Sequence, residues 1–288
     1  MSLPLALTLI LALCALPAAA DTADAGVSWT LYTVESGTTA DFDSDDAAET
    51  FTFSTALDEY RDGSFTLSVN DQSVTQGDCC CLGEEIYMVH IGWTGYSDME
   101  DYGYYATLFM VPEYGPSDDP YTYCYLYCGG QLLSVGNIPA LPQNMSIDRI
   151  TGTFTTTVRA DMLGTWARPA DYKLARGYWY DEDGDFLEAY HFVEVPRPIY
   201  PMGMIVTLRQ DLPLRECQTD NFYAFMLMAD QDVILAATDD CRWLYVSSLD
   251  GQIAGWVRMK RVDYMTKITV ADTDMEADDV FEGIQYAD

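Results

Sequence analysis

Positive charge is what this chain has least of. Lys and Arg together number 14 against 46 Asp and Glu, His occurs twice, and the formal net charge is −32. Nucleic acid is excluded as a partner, because phosphate binding draws on Lys and Arg. An anionic membrane surface is excluded for the same reason. The two histidines, His90 and His191, both sit in strand-like runs and leave little for nucleophile-and-base chemistry. No G-x-S-x-G, H-E-x-x-H or phosphate-loop pattern occurs. A pair of carboxylates is the one catalytic arrangement that 46 acids leave open. C-x-x-C spacing is also absent, which removes the common zinc and thiol-redox patterns. The one long apolar run, Leu3 to Leu16, is shorter than the roughly 20 residues of a membrane span. Amphipathic helical periodicity is scarce.

That apolar run, followed by Ala18-Ala19-Ala20, reads as a secretory signal cut near Ala20, although its start carries no Lys or Arg. Cys14 follows Leu13 where a lipoprotein signal has a small residue, which argues against a lipid anchor. An exported, acidic chain stays soluble and can collect divalent cations. Apolar content of 49% suffices for a buried core. Export permits disulfides. Of the eight cysteines, seven remain once Cys14 is removed, so at least one thiol is left over. Cys217 and Cys241 would close a loop of about 25 residues, worth ~3–4 kcal/mol in the chain-entropy view. Cys124 and Cys128 lie about 13 Å apart on one strand face. Each therefore needs its own partner from Cys79, Cys80 and Cys81.

What is present is β-structure nearly throughout, and the expected fold class is mainly β. Residues 21–50, rich in Asp, Ala, Thr, Ser and Gly, read as a flexible acidic leader. "TFTFSTAL" and "GSFTLSVN" alternate polar and apolar residues as half-buried strands do. "EEIYMVHIGW", "YYATLFMVPEY", "TYCYLYC", "GQLLSVGNI", "ITGTFTTTVRA", "YKLARGYWY" and "EAYHFVEV" continue the series. These runs predict an acidic, aromatic-rich domain over 51–195, built as one β-sandwich or a blade-like sheet. Tyr121, Tyr123, Tyr125 and Tyr127 would share one face. That face is either covered by a neighbouring element or free as a platform for a glycan. Pro196, Pro198 and Pro201 mark a linker over 196–202. Residues 203–262 read as a second, smaller β unit. The tail 263–288 reads as a short acidic helix docked by Met275, Phe281 and Ile284.

In the second unit, "GMIVTLRQDLPLRECQ", "DVILAATDD", "CRWLYVSSLDG" and "QIAGWVRM" follow in order. Trp243, Val246, Asp250-Gly251 and Gly255-Trp256-Val257 resemble the bacterial SH3-like family over roughly 60 residues. Asp250-Gly251 suits a tight hairpin turn. Gly255 suits a kink that closes a small barrel. The resemblance implies a small barrel that binds peptides, among bacterial members often peptidoglycan. The ligand-binding residues it suggests are Tyr223, Trp243, Tyr245 and Trp256, with Trp243 and Trp256 as core residues the alternative. "YATLFMVPEYGPSDDPYTYCYLYCGGQLLSVGNI" resembles one blade of an FG-GAP or integrin-like propeller. The place of that repeat's calcium loop holds Ser97-Asp98-Met99-Glu100-Asp101 instead. The ending "VFEGIQYAD" with the SH3-like pattern is similar to secreted proteins of Gram-positive gut bacteria.

Calcium has two candidate stretches. Asp181, Asp183 and Asp185 alternate in "DEDGDFLE", where a hairpin turn on Asp183-Gly184 is the competing explanation. "DFDSDD", Asp41 to Asp46, alternates likewise but lies in the leader, without the Gly and Glu of an EF-hand. No other cofactor is implied. Three functions follow, all for a secreted protein without a transmembrane segment. The first is non-catalytic binding of a cell-wall peptide or peptidoglycan. The second is a calcium-assisted glycan-binding or adhesive module. The third is a hydrolase targeted by its SH3-like part.

Overall fold

The computed structural model describes residues 31–92, 105–115, 119–148, 151–164, 166–180, 186–263 and 265–285. The signal-like segment, Ser97–Asp101, and Asp181, Asp183 and Asp185 lie outside the described residues. The chain is almost entirely antiparallel β-sheet.

The first part is three stacked sheets rather than one sandwich or one blade. An outer sheet holds β2 (Thr39–Ala40), β3 (Glu49–Leu57), β4 (Gly63–Val69) and β5 (Gln72–Cys79) in that order. The middle sheet runs β1 (Tyr32–Val34), β6 (Ile86–Gly92), β7 (Tyr105–Glu113), β8 (Tyr121–Cys128), β9 (Gln131–Ile138). The third holds β10 (Ser146–Asp148), β11 (Thr153–Arg159), β12 (Ala167–Tyr180) and β13 (Phe186–Val195).

Strand β8 shows why three layers form. Successive side chains point to opposite faces. Tyr125 and Tyr127 pack with Phe51, Phe65 and Phe109 in the core under the outer sheet. Cys124, Leu126 and Cys128 pack with Phe154, Tyr172 and Phe192 in the core under the third sheet. A strand covered on both faces has no need of polar residues on either. The tyrosine face is thus covered by a neighbouring sheet: Phe65 meets Tyr123 and Tyr125 edge-on at 5.6 and 5.9 Å. Only Tyr121, at the strand's start, is exposed.

The same layering explains why the expected thiol pairings do not form. Cys79 belongs to the first core, Cys124 and Cys128 to the second, on the far side of the middle sheet. All three are unpaired, as are Cys80 and Cys81.

The acidic segment before β3 is folded from residue 31 onward, not a leader. Phe42 is fully buried, 5.4 Å edge-on from Phe109, on which Phe51 also stacks at 4.9 Å. The Phe42 carbonyl accepts from Thr107 Oγ1 at 2.6 Å and its N–H donates to Glu49 Oε2 at 2.7 Å. One buried aromatic with its backbone satisfied outweighs a polar composition, since burying a Phe contributes about 1.5–3 kcal/mol.

The second part is a seven-stranded sheet in the order β21-β20-β19-β18-β17-β14-β22. Its strands are β14 (Tyr200–Leu208), β17 (Asp232–Thr238), β18 (Trp243–Ser248), β19 (Ala254–Val262), β20 (Met265–Val270), β21 (Thr273–Glu276) and β22 (Phe281–Glu282). A four-residue helix, α1 (Ala277–Val280), joins the two edge strands β21 and β22. Four helical residues advance only about 6 Å, so the sheet curls around its own core. A hairpin of β15 (Leu212–Leu214) and β16 (Phe225–Leu227) crosses it.

Three expected boundaries move. The unit extends past residue 262, because the tail supplies three strands and buries Val280 and Phe281. The linker shrinks to residues 196–199, since Tyr200 and Pro201 already pair with Thr238 and Ala237. Arg197 is held there by Asp171, with Nε at 2.9 Å. The turn after β18 is a five-residue loop, 249–253, rather than a two-residue turn. Asp250 caps it, accepting from Ser248 Oγ at 2.6 Å and Gln252 N at 3.0 Å. Gly251 supplies the left-handed φ of +69°.

The two parts are joined through a loop. Met162 and Leu163, between β11 and β12, sit inside the second part's core with Leu244 and Ile268. The Leu163 N–H donates to Thr266 Oγ1 at 2.9 Å.

Candidate functional site

On β18 and β19 the strand alternation sends Leu244, Val246, Val257 and Met259 inward. Trp243, Tyr245 and Trp256 are left half-buried on the outer face. Tyr245 and Trp256 face each other across the ladder, ring centroids 4.9 Å apart. The crossing hairpin then lays Arg215 against this face. Arg215 and Trp256 exchange backbone hydrogen bonds of 2.9 and 2.8 Å. A side chain at 255 would forbid that approach, because a Cβ there would lie 2.5 Å from the Arg215 carbonyl oxygen. Gly255 is required by the crossing strand.

The Arg215 guanidinium lies 5.2 Å from the Tyr223 ring centroid and 5.9 Å from that of Trp243. Its Nη1 donates to the Asp220 carbonyl. Tyr223 is fixed from its far end: its hydroxyl donates to Asp272 Oδ1 at 3.0 Å and accepts from Asp272 N at 3.2 Å. Tyr223, Trp243, Tyr245 and Trp256 therefore share one face, with Arg215 among them. Arg215 was not among the expected residues; its place in "LPLR", directly after β15, was the available signal. Beside this face the hairpin exposes Phe222 at 61%, Phe225 at 40% and Met226 at 46%. Aromatic faces, one cation and an apolar rim suit a sugar ring or an extended peptide with a carboxylate.

Cys217 and Cys241 are both exposed free thiols, not a disulfide. Each sits in its own carboxylate-capped turn. Asp220 accepts from Cys217 N at 2.8 Å, and Asp239 accepts from Cys241, Arg242 and Trp243 N at 2.7–3.0 Å. These turns order the loops that a bridge was expected to staple.

A second concavity, of about 530 Å³, lies at the end of the three-sheet stack between Tyr60, Arg61, Glu85, Tyr87 and Tyr114. Cys81 lines it, and Asp62, Cys80 and Cys81 lie close enough to share an ion. Hydrogen bonding to Asp62, with burial, pushes the Cys80 thiol up to about 11, which disfavours its thiolate as a nucleophile in the free protein. Burial raises Cys79, Cys124 and Cys128 as well, Cys128 to about 12.

Both histidines are half-buried strand residues. Thr107 Oγ1 spends its proton on the Phe42 carbonyl, so His90 Nδ1, 2.9 Å away, carries the hydrogen of their bond. Burial lowers both His90 and His191 below the ordinary imidazole value. The unfolded chain then takes up protons first as pH falls through about 6.5. Stability contributed by the neutral ring is full above that pH and is lost on the way down to the folded value. The fall in Tm between pH 7.5 and 5.5 is expected to be smaller in His191→Gln than in the wild type. An equal fall would remove His191 from the account.

No protein-family model matches the chain, and neither curated proteins nor solved structures give a match.

Proposed function

We propose that the protein is a secreted, non-catalytic binding protein of the bacterial cell wall. In this reading the outer face of the curled sheet takes a wall peptide or peptidoglycan strand. One observation carries it: Tyr223, Trp243, Tyr245 and Trp256 gather around Arg215 on a single half-exposed face. The resemblance of "WLYVSSLDGQIAGWV" to bacterial SH3-like domains supports the same ligand class. The acidic surface favours solubility outside the cell and disfavours polyanionic partners.

Co-sedimentation of the whole chain with purified peptidoglycan sacculi tests it. Trp243→Ala is expected to weaken binding by at least about 30-fold, the loss seen for a buried aromatic anchor. Its Tm should stay near that of the wild type, because Trp243 is only half-buried. Wild-type protein that stays in the supernatant would end this reading.

A further inference from the structure

We propose that Asp41, Asp43, Asp45 and Glu49 form a calcium site that clamps the N-terminal loop to the middle sheet. The inference is independent of wall binding. One carboxylate oxygen from each residue lies within 4.8 Å of the others. Two ligands across a calcium ion with 2.3–2.6 Å bonds are about 4.6–5.2 Å apart. The four donors are all hard oxygens, the set that suits calcium, magnesium or manganese rather than softer ions such as zinc or copper.

The stronger observation is Asp43. Its residue is 7% exposed, and Oδ2 accepts from Gly130 N at 2.8 Å. Oδ1 is buried with no hydrogen-bond partner, and it is the only such side-chain atom among the described residues. Buried polar atoms are almost always satisfied. A bare carboxyl oxygen buried beside three other acids is the place where a cation would be met. Among the described residues, no Lys or Arg forms an ion pair with any of the four.

The loop is built around the same point. Both Asp41 oxygens accept loop N–H groups, from Asp45 at 3.2 Å and Asp46 at 3.1 Å. Ser44 and Asp46 adopt left-handed φ values of +59° and +69°, which wrap the chain tightly. Glu49, 3% exposed, closes the set from the first residue of β3. A divalent ion would offset the negative charge gathered by these four carboxylates. Phe42, between two of the ligands, would be held in the core beside Phe109. Calcium suits the loop better than magnesium, which demands near-ideal octahedral geometry and keeps its waters.

Differential scanning of the whole mature chain in 5 mM CaCl2, 5 mM MgCl2 or EDTA reads the effect. Calcium is expected to raise Tm by roughly 3–6 °C over EDTA, for a dissociation constant of about 10⁻⁴–10⁻³ M. Terbium should bind competitively with calcium and luminesce on tyrosine excitation, since Tyr127 lies in the same core cluster as Phe42 of this loop. Asp45→Asn, at an exposed position, should keep the EDTA Tm and weaken calcium at least about tenfold. Asp43→Asn should lose the calcium response yet be no less stable than wild type in EDTA, because it removes the bare buried charge. Equal Tm in calcium and EDTA would overturn the proposal. So would an undiminished response in both variants, or an equal shift with magnesium.

Discussion

Replacing Arg168 by Met is expected to destabilise the protein by about 3–5 kcal/mol, the cost of leaving a buried charge without its partner. Arg168 is the second residue of β12 and is almost fully buried. Its Nε donates to Asp240 Oδ2 at 2.8 Å, and its Nη atoms donate to both Glu194 oxygens at 2.5 and 3.2 Å. The guanidinium also lies over the Tyr200 ring at 4.7 Å. Burial works against its charge, but Glu194, Tyr200 and Asp240 outweigh burial and keep it cationic. Asp240 has the opposite balance. Burial pushes its carboxyl up, against the N–H groups of Asp161 and Met162 and against Arg168. Without Arg168 that carboxylate keeps two backbone donors and no counter-charge.

The position of these groups makes the loss a junction effect. Arg168 and Glu194 belong to the third sheet, and Asp240 to the turn between β17 and β18 of the curled sheet. The Met162–Leu163 loop enters the second core beside them. Urea unfolding of the wild type is expected to be one cooperative transition. In Arg168→Met the midpoint should fall, and the curled sheet and the stack should separate into two transitions. A midpoint shift worth less than about 1 kcal/mol would mean that the cluster is a surface-like ion pair. The double variant Arg168→Met with Asp240→Asn should regain part of the loss, because the amide oxygen still accepts the Asp161 and Met162 N–H groups while the unpaired charge is gone.

Period-two alternation made the β class legible: β4 follows it nearly throughout and β18 over Trp243–Val246. It paired Trp243 with Tyr245 on one face of β18; the cross-strand register of the structure adds Trp256. Alternation says nothing about how many layers cover a strand, which is why three sheets read as one sandwich. Composition misled at residues 31–50. A loop rich in Asp and Ser is disordered on average, but Phe42 and Glu49 are buried there. The acidic alternation at Asp41–Asp45 was visible. The fourth carboxylate of that cluster, Glu49, lies eight residues after Asp41 rather than at the EF-hand position, and it fell within the stretch read as leader. Cysteine arithmetic failed because pairing depends on which core each thiol enters, a property of tertiary packing. Arg215 was missed because a cation stacked on rings leaves no periodic trace. The proline cluster suggested a linker through residue 202, yet Pro201 already pairs near the start of β14, before a bulge between it and Met204.

Gly255→Ala should be nearly as damaging as the loss of Arg168, at about 3–5 kcal/mol, and for a purely steric reason. The added Cβ would lie 2.5 Å from the Arg215 carbonyl oxygen and 2.9 Å from Leu214 Cβ. Neither contact can be relieved by rotating a side-chain tip. The crossing hairpin must lift. Lifting breaks the two backbone bonds between Arg215 and Trp256, each worth about 1 kcal/mol. It also withdraws Leu212 and Leu214, both fully buried, from the second core. Gly251→Ala is the matched control. Its φ of +69° strains any side chain, but nothing lies within 4 Å of the new Cβ. That change should cost only about 1–2 kcal/mol. The pair also separates fold from site. Gly255→Ala moves Arg215 away from Tyr223 and Trp243, so its sacculus binding should fall even at temperatures where it is fully folded. Gly251→Ala, in the 249–253 turn, should bind as the wild type does. If Gly255→Ala unfolds within about 1 kcal/mol of the wild type, the hairpin does not cross where the structure places it, and the Arg215-centred face loses its basis.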